Sequence, residues 1–87
     1  MNVEVVASPL ESTELLAEVA RALVTIPEAV RVDVGEEGSI RVLWLTVASR
    51  DRHRIIGPRG RSMTALRHLF TSIGHLDGDQ LLVKIRD

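Results

Sequence analysis

Residues 55–61 read Ile55-Ile56-Gly57-Pro58-Arg59-Gly60-Arg61, with two glycines three positions apart between an apolar pair and the predicted start of a helix. Because neither glycine carries a Cβ, the backbone can approach another molecule closely at this point. Arginines at three positions in and just before this stretch surround it with positive charge. We therefore expect the stretch to contact an anion.

The composition indicates one small globular domain. The chain has 87 residues, of which 45% are hydrophobic and 26% are charged, so it is long enough for a single core and too apolar to be read as disordered. It contains no cysteine, which excludes a disulfide, a thiolate nucleophile and a zinc knuckle. The amino terminus lacks a cationic start followed by a long apolar run, and no segment approaches membrane-spanning length. These features predict a cytoplasmic protein.

The formal net charge of −1 conceals a strong asymmetry along the chain. Residues 1–49 carry eight acidic residues against three arginines, a net charge of −5. Residues 50–68 carry six arginines against one aspartate, a net charge of +5, and they contain the glycine stretch. A charge run is often only a solvated surface, but arginines that bracket a glycine loop favour an anion-binding strip.

Three helices are predicted from capping residues and apolar spacing. The first begins near Ser8-Pro9, where Ser8 can cap, or one turn later with Ser12 or Thr13 as the cap, and it ends before Pro27. A short second helix, capped by Ser49 or Asp51, ends at Gly57. The third runs from Ser62 to Ile73, with Gly74 as its stop signal.

Three strands are predicted from alternation and apolar runs. Residues 30–34 alternate strictly, residues 35–38 are turn-forming, and residues 40–48 form a second strand that is buried on both faces. Residues 81–85 form the last strand, after a turn at residues 77–79. The order αββααβ predicts an α+β domain over residues 9–87, in which three helices cover one face of a three-stranded sheet. Residues 1–8 are either a tail or a short extra strand.

This order, with the loop between the second and third helices, resembles the type II KH fold. From about Leu15 to Arg86 the chain is similar to the small bacterial single-KH proteins of the KhpA type. The likeness is carried by the helix leading into Ile26-Pro27-Glu28, by the stretch Ala48 to Gly60, and by Ala65-Leu66-Arg67. In that family the loop usually reads isoleucine-glycine-lysine-any-glycine-arginine, so Pro58 stands here where a lysine is usual.

The resemblance implies a binder of single-stranded RNA, with a role such as RNA chaperone or small-RNA regulator. It also implies homodimers or pairing with a larger Jag-type KH protein. In a KH domain the G-x-x-G loop clamps the backbone of about four nucleotides, whose bases lie in an apolar groove. The predicted RNA contacts are Arg54, Ile55, Ile56, Gly57, Pro58, Arg59, Gly60, Arg61, Ser62 and Leu66. Pro58 removes a cation and an N–H donor, so Arg59 and Arg61 would have to provide the phosphate contact.

Several alternatives stay open at this stage. The loop can be a helix-turn-helix corner without a ligand, and Arg67 and His68 can be solvated surface. Leu69 and Phe70 form a candidate dimer surface on the third helix, but core packing explains the same stripe. The protein can therefore be an interaction module in which RNA binding is weak or lost.

Other classes of function are disfavoured by the residues. The three histidines lack metal-ligand spacing, so no metal site is expected. The chain shows no nucleotide-binding loop and no His/carboxylate cluster. We expect no enzyme activity, no cofactor, no small-molecule substrate and no membrane partner.

Overall fold

The computed structural model describes residues 9–76 and 78–86, with side chains from Glu11 onward. Its helices and strands are α1 (Pro9–Leu23), β1 (Arg31–Glu37), β2 (Ile40–Thr46), α2 (Arg52–Ile56), α3 (Arg61–Leu76) and β3 (Leu81–Ile85). Single 3-10 turns precede β1, α2 and α3. The predicted α+β order αββααβ is confirmed. The predictions for Ser8 and for residues 1–8 lie outside the described residues.

The sheet is mixed, with β2 in its centre. β1 pairs with β2 in the antiparallel sense and β3 pairs with it in the parallel sense. Leu45 lies opposite Val32 on one side and opposite Ile85 on the other. A parallel pair needs a long crossover connection, and here that crossover is formed by α2, the glycine loop and α3. The loop therefore lies at the turn of the crossover.

The core lies between the helices and one face of the sheet. Its fully buried residues come from all three helices and from strands β2 and β3: Leu16, Ala20, Leu43, Leu45, Ile55, Phe70 and Val83. The opposite sheet face carries Trp44, whose ring lies 5.4 Å from the Lys84 ammonium and 4.9 Å from the Arg86 guanidinium. Trp44 is thus a residue of the sheet face that points away from the core.

The hairpin is tighter than the sequence predicted. β1 continues to Glu37, which pairs with Ile40, so the turn consists of Gly38 and Ser39 alone. Gly38 has a φ of 62°, as short hairpin turns require. The prediction of turn structure from residue 35 was wrong, because Gly35 lies opposite Val42 in the sheet. β2 in turn ends at Thr46, two residues before the predicted end.

α1 ends before Pro27, as predicted, whereas the predicted end of α3 at Ile73 was wrong. α1 ends at Leu23 because the N–H groups of Thr25 and Ile26 donate to the carboxylate of Asp51 rather than to carbonyls of the helix. α3 continues through Gly74 to Leu76, and the glycine with positive φ that follows it is Gly78, at 74°.

Gly74 is needed for helix–strand packing. A Cβ at this position would lie 2.8 Å from the Cβ of Leu81 and 3.1 Å from the carbonyl oxygen of Asp79. The glycine therefore lets α3 approach β3 closely. No helix in the described part of the chain is long and apolar enough to span a membrane.

Candidate nucleic-acid interface

The glycine loop is one 3-10 turn between α2 and α3. The N–H of Gly57 donates to the carbonyl of His53 at 2.8 Å and ends α2, and the N–H of Gly60 donates to the carbonyl of Gly57 at 3.0 Å. The carbonyl of Pro58 accepts from the N–H of Arg61, the first residue of α3. The turn is therefore closed by its own backbone hydrogen bonds.

Gly57 is required by both conformation and packing. Its φ of 77° and ψ of 170° lie in a region that is essentially restricted to glycine. A Cβ here would collide with Ser62, at 2.8 Å from its Cβ and 3.0 Å from its backbone nitrogen. Pro58 follows directly, and a residue before proline favours extended ψ values. Gly57 thus holds the end of α2 against the start of α3.

Gly60 differs from Gly57, because a Cβ at Gly60 would meet no atom within 4 Å. Its φ of 72° favours glycine, but the space beside it is open. Its neighbour Arg59 has a φ of 56° and a ψ of 25°, and it is the non-glycine residue with positive φ in the described chain. Such a backbone is strained by about 1–2 kcal/mol. The loop therefore presents a strained, open segment of backbone beside two arginines.

Pro58 fits this turn without distortion. It occupies the first position of the 3-10 turn, where an N–H has no partner inside the helix and a φ near −65° is preferred. Its side chain is exposed. The substitution of proline for the family's usual lysine therefore removes a cation and a donor but preserves the shape of the loop.

The six arginines of the basic segment fall into two groups. Arg50, Arg54, Arg59 and Arg61 are exposed, and so is Arg67, which belongs with Arg52 to the second group. Arg52 and Arg67 donate from Nε to main-chain carbonyls of the C-terminal strand region, namely those of Arg86 at 3.2 Å and Val83 at 3.1 Å. From the sequence, Arg67 could be either an RNA contact or solvated surface. In the structure it extends from α3 and its Nε donates to the outer edge of β3.

The apolar residues predicted as groove walls are more deeply buried than expected. Ile55 is completely buried and Leu66 is 6% exposed, because both point into the core under α2 and α3. Their part in binding bases stays a prediction, and in this structure both side chains pack into the core. Ile56 and Ser62 are half-buried and remain accessible beside the loop. Helical spacing alone did not reveal which member of the Ile55-Ile56 pair turns inward.

The predicted dimer surface is also corrected by burial. Phe70 is fully buried and belongs to the core, whereas Leu69 is 48% exposed. Leu76, which the sequence did not single out, is 83% exposed. Since residues seven apart lie on the same helix face, Leu69 and Leu76 share one exposed apolar stripe of α3. The spacing itself could have identified this pair.

The sequence pattern predicted Asp51 only as a possible helix cap. In the structure it is a buried carboxylate with 1% exposure. It accepts from the N–H of Thr25 at 3.0 Å, the hydroxyl of Thr25 at 2.8 Å and the N–H of Ile26 at 3.1 Å. Nε of Arg54 lies 3.9 Å away. Burial by itself raises the pKa of Asp51, but these hydrogen bonds and the charge of Arg54 outweigh it and lower the pKa below the ordinary value.

No group of three or more His, Asp or Glu side chains in the described ranges is arranged to hold a metal ion. The basic loop and the buried carboxylate beside it are thus the charged features of this end of the molecule. The exposed donors there include the guanidinium groups of Arg54, Arg59 and Arg61, which suit a phosphate oxygen.

Comparison with known proteins agrees with this architecture. The model of the family described as "KhpA/KhpB, KH domain" matches residues 13–85. The RNA-binding protein KhpA of Treponema pallidum is 38% identical over 74 residues, which cover 85% of this chain and 92% of that protein. The RNA-binding protein KhpA of Chlamydia trachomatis is 32% identical over 74 residues, covering 85% and 95%. No solved structure matches the chain. The chain belongs to the KhpA/KhpB family of KH-domain proteins.

Proposed function

We propose that this protein is a non-catalytic binder of single-stranded RNA that clamps the phosphate backbone with its G-x-x-G loop. The family is one of KH domains and not of enzymes, and relatives within it are named RNA-binding proteins. The observation that carries the proposal is the open space beside Gly60, next to the exposed side chains of Arg59 and Arg61.

The electrostatics at this point favour a phosphate. α3 is a helix of 16 residues that begins at Arg61, and the amino end of a helix carries a partial positive charge. A phosphate oxygen beside Gly60 would face this helix end, and Arg59 and Arg61 can each donate two hydrogen bonds to it. Arg54 lies one turn before the loop and can reach the next phosphate along the strand.

The bases would lie along the half-buried Ile56, with Ser62 at the start of α3. A KH domain holds about four nucleotides, so few phosphates are contacted. For two to four contacts, the affinity should fall by roughly 1.4–2.8 log units per tenfold increase in salt. A clamp that holds four bases unpaired favours the single-stranded state of RNA, which is the property an RNA chaperone or a small-RNA regulator needs.

The test is the binding of a short fluorescent single-stranded RNA at two salt concentrations, measured by anisotropy. The double variant Pro58→Asp/Arg59→Asp replaces the centre of the loop and changes the net charge by −3, because it adds two negative charges and removes one positive charge. We expect it to lose most of the binding and to have a shallower salt dependence.

A matched control places the same charge change elsewhere. Arg31→Asp/Ser39→Asp also changes the net charge by −3, at the exposed start of β1 and in its hairpin turn. This control should bind nearly as well as the wild type. Equal binding by the loop variant and the wild type would refute the clamp, and equal losses in both variants would show only a response to net charge.

A second function is favoured by the exposed stripe of Leu69 and Leu76 on α3. We propose that this stripe pairs the protein with a second copy or with another KH protein. Sedimentation of Leu69→Asp should then show a smaller mass than the wild type. Thr64→Asp, an exposed change on another face of α3, is the control and should leave the mass unchanged; an unchanged mass for Leu69→Asp would exclude this surface.

A further inference from the structure

We propose that Asp51 is a positioning residue for RNA binding, because it sets the orientation of α2 and thereby of the G-x-x-G loop. This inference rests on the proposed RNA-binding function. Asp51 is the one acidic residue of segment 50–68, and its carboxylate is buried. It lies six residues before Gly57 and does not itself border the open space of the loop.

The contacts of Asp51 join two separate parts of the chain. Its two carboxylate oxygens accept hydrogen bonds from Thr25 and Ile26, which follow α1 and lie 26 and 25 residues away in sequence. A buried carboxylate is strongly unfavourable unless its oxygens are satisfied. Here three donors satisfy it, so the carboxylate holds the amino end of α2 against the segment after α1.

The helix that Asp51 holds is too short to orient itself. α2 has five residues, and an isolated helix of that length is not stable in water. Its direction therefore depends on what holds its two ends and its inner face. Ile55 inserts into the core on the inner face, Gly57 closes the carboxyl end, and Asp51 holds the amino end.

Loss of the Asp51 contacts would leave α2 free to turn about Ile55. Gly57 is in close contact with Ser62 at the other end of the loop, so a rotation of α2 changes the backbone path between α2 and α3. The carboxylate also lies 3.9 Å from Nε of Arg54. Its charge therefore influences the orientation of the Arg54 side chain, which is itself a predicted RNA contact. Both effects reach RNA only through other residues, which is why Asp51 is a positioning residue and not a contact.

The variant that isolates this role is Thr25→Val. It removes the hydroxyl that donates to Asp51 at 2.8 Å, but it changes no charge and keeps both main-chain donors. Thr71→Val is the matched control, because it removes a hydroxyl that donates to a main-chain carbonyl outside the glycine loop. The acceptor is the carbonyl of Leu81, at the start of β3, at 3.3 Å. Asp51→Asn is the stronger variant, since its amide group would face the N–H of Ile26 with a second donor.

Each variant is assayed for anisotropy with the same short single-stranded RNA, at a temperature where circular dichroism shows it folded. We expect about three-fold weaker binding for Thr25→Val, which removes one of the three hydrogen bonds to the carboxylate, and about ten-fold weaker binding for Asp51→Asn, which removes the charge that strengthens all three. Thr71→Val should bind like the wild type. If Asp51→Asn does not fold, Thr25→Val carries the test alone.

A spectroscopic readout separates positioning from general loss of stability. In amide ¹H–¹⁵N spectra of the free proteins, Thr25→Val should shift the resonances of Gly57 and Gly60, whereas Thr71→Val should leave both in place. Wild-type binding by a folded Thr25→Val, with both glycine resonances unmoved, would overturn the inference. If the wild type binds no RNA, the proposed function fails, and the glycine resonances still decide whether Asp51 positions the loop.

Discussion

The two glycines of the loop should respond differently to the same substitution by alanine. Gly60→Ala meets open space, so its effect is limited to the backbone strain of a φ of 72°, about 1–2 kcal/mol. Gly57→Ala carries at least as much strain, because its ψ of 170° puts it in a region essentially restricted to glycine. It also places a methyl group 2.8 Å from the Cβ of Ser62. Overpacking of that kind adds about 1–3 kcal/mol, so we expect a total of about 2–5 kcal/mol for Gly57→Ala.

Thermal unfolding followed by circular dichroism measures this difference. For a domain of this size each kcal/mol lowers Tm by about 4–8 °C. Gly38→Ala is the reference, because Gly38 has a φ of 62° and open surroundings in the β1–β2 turn. We expect Gly60→Ala to match Gly38→Ala in Tm and Gly57→Ala to lie well below both. Equal Tm values for Gly57→Ala and Gly60→Ala would refute the packing role of Gly57.

The same three variants then test which glycine faces the ligand. A methyl group at Gly60 projects into the space proposed for a phosphate, so Gly60→Ala should remain folded yet bind short single-stranded RNA more weakly. Gly38→Ala has the same kind of strain outside the loop and should bind normally. If these two variants bind RNA equally well, the open side of Gly60 is not where the backbone of the RNA lies.

Further predictions follow from burial and hydrogen bonding. Gly74→Ala should lower the free energy of unfolding by about 1–2 kcal/mol, because its methyl group would press on Leu81. Alanine normally favours a helix by about 1 kcal/mol over glycine, so a raised midpoint of urea unfolding would contradict this packing role. In the same assay, Phe70→Ala should lower the free energy of unfolding by about 3–5 kcal/mol and Leu69→Ala by at most about 1 kcal/mol. Similar losses for the two variants would contradict the assignment of Phe70 to the core and of Leu69 to the surface. For Asp51, desolvation raises the pKa but its hydrogen bonds lower it further, to below the ordinary value of 3.8. Its contribution is therefore present above about pH 4 and is lost as the pH falls through the folded pKa; Tm measured from pH 5 to pH 2 should fall less steeply for Asp51→Asn than for the wild type.

The element order could be predicted because its signals are local. The 3.6-residue spacing of α1 and α3, the apolar run of β2 and the last strand at residues 81–85 are all confirmed by the structure. The glycine loop was placed correctly between α2 and α3 for the same reason, since two glycines and a proline restrict the backbone wherever they occur.

Errors arose where a residue's role depends on a distant partner. Gly74 was taken as a helix stop, but it is a contact with β3 that is visible only when α3 and β3 are packed together. The position at which α1 ends and the role of Asp51 have one cause, a set of hydrogen bonds between segments that are 25 and 26 residues apart. No local pattern encodes such a pairing.

By itself, the sequence determined the α+β order, the position of the G-x-x-G loop and the concentration of positive charge around it. Those features depend on backbone preferences and on charges that are close together along the chain. Only the tertiary structure decided that Ile55, Leu66 and Phe70 belong to the core while Ile56 and Leu69 remain accessible. Adjacent apolar residues on a short helix look alike in sequence, and only the packing of three helices on one sheet determines which of them is covered.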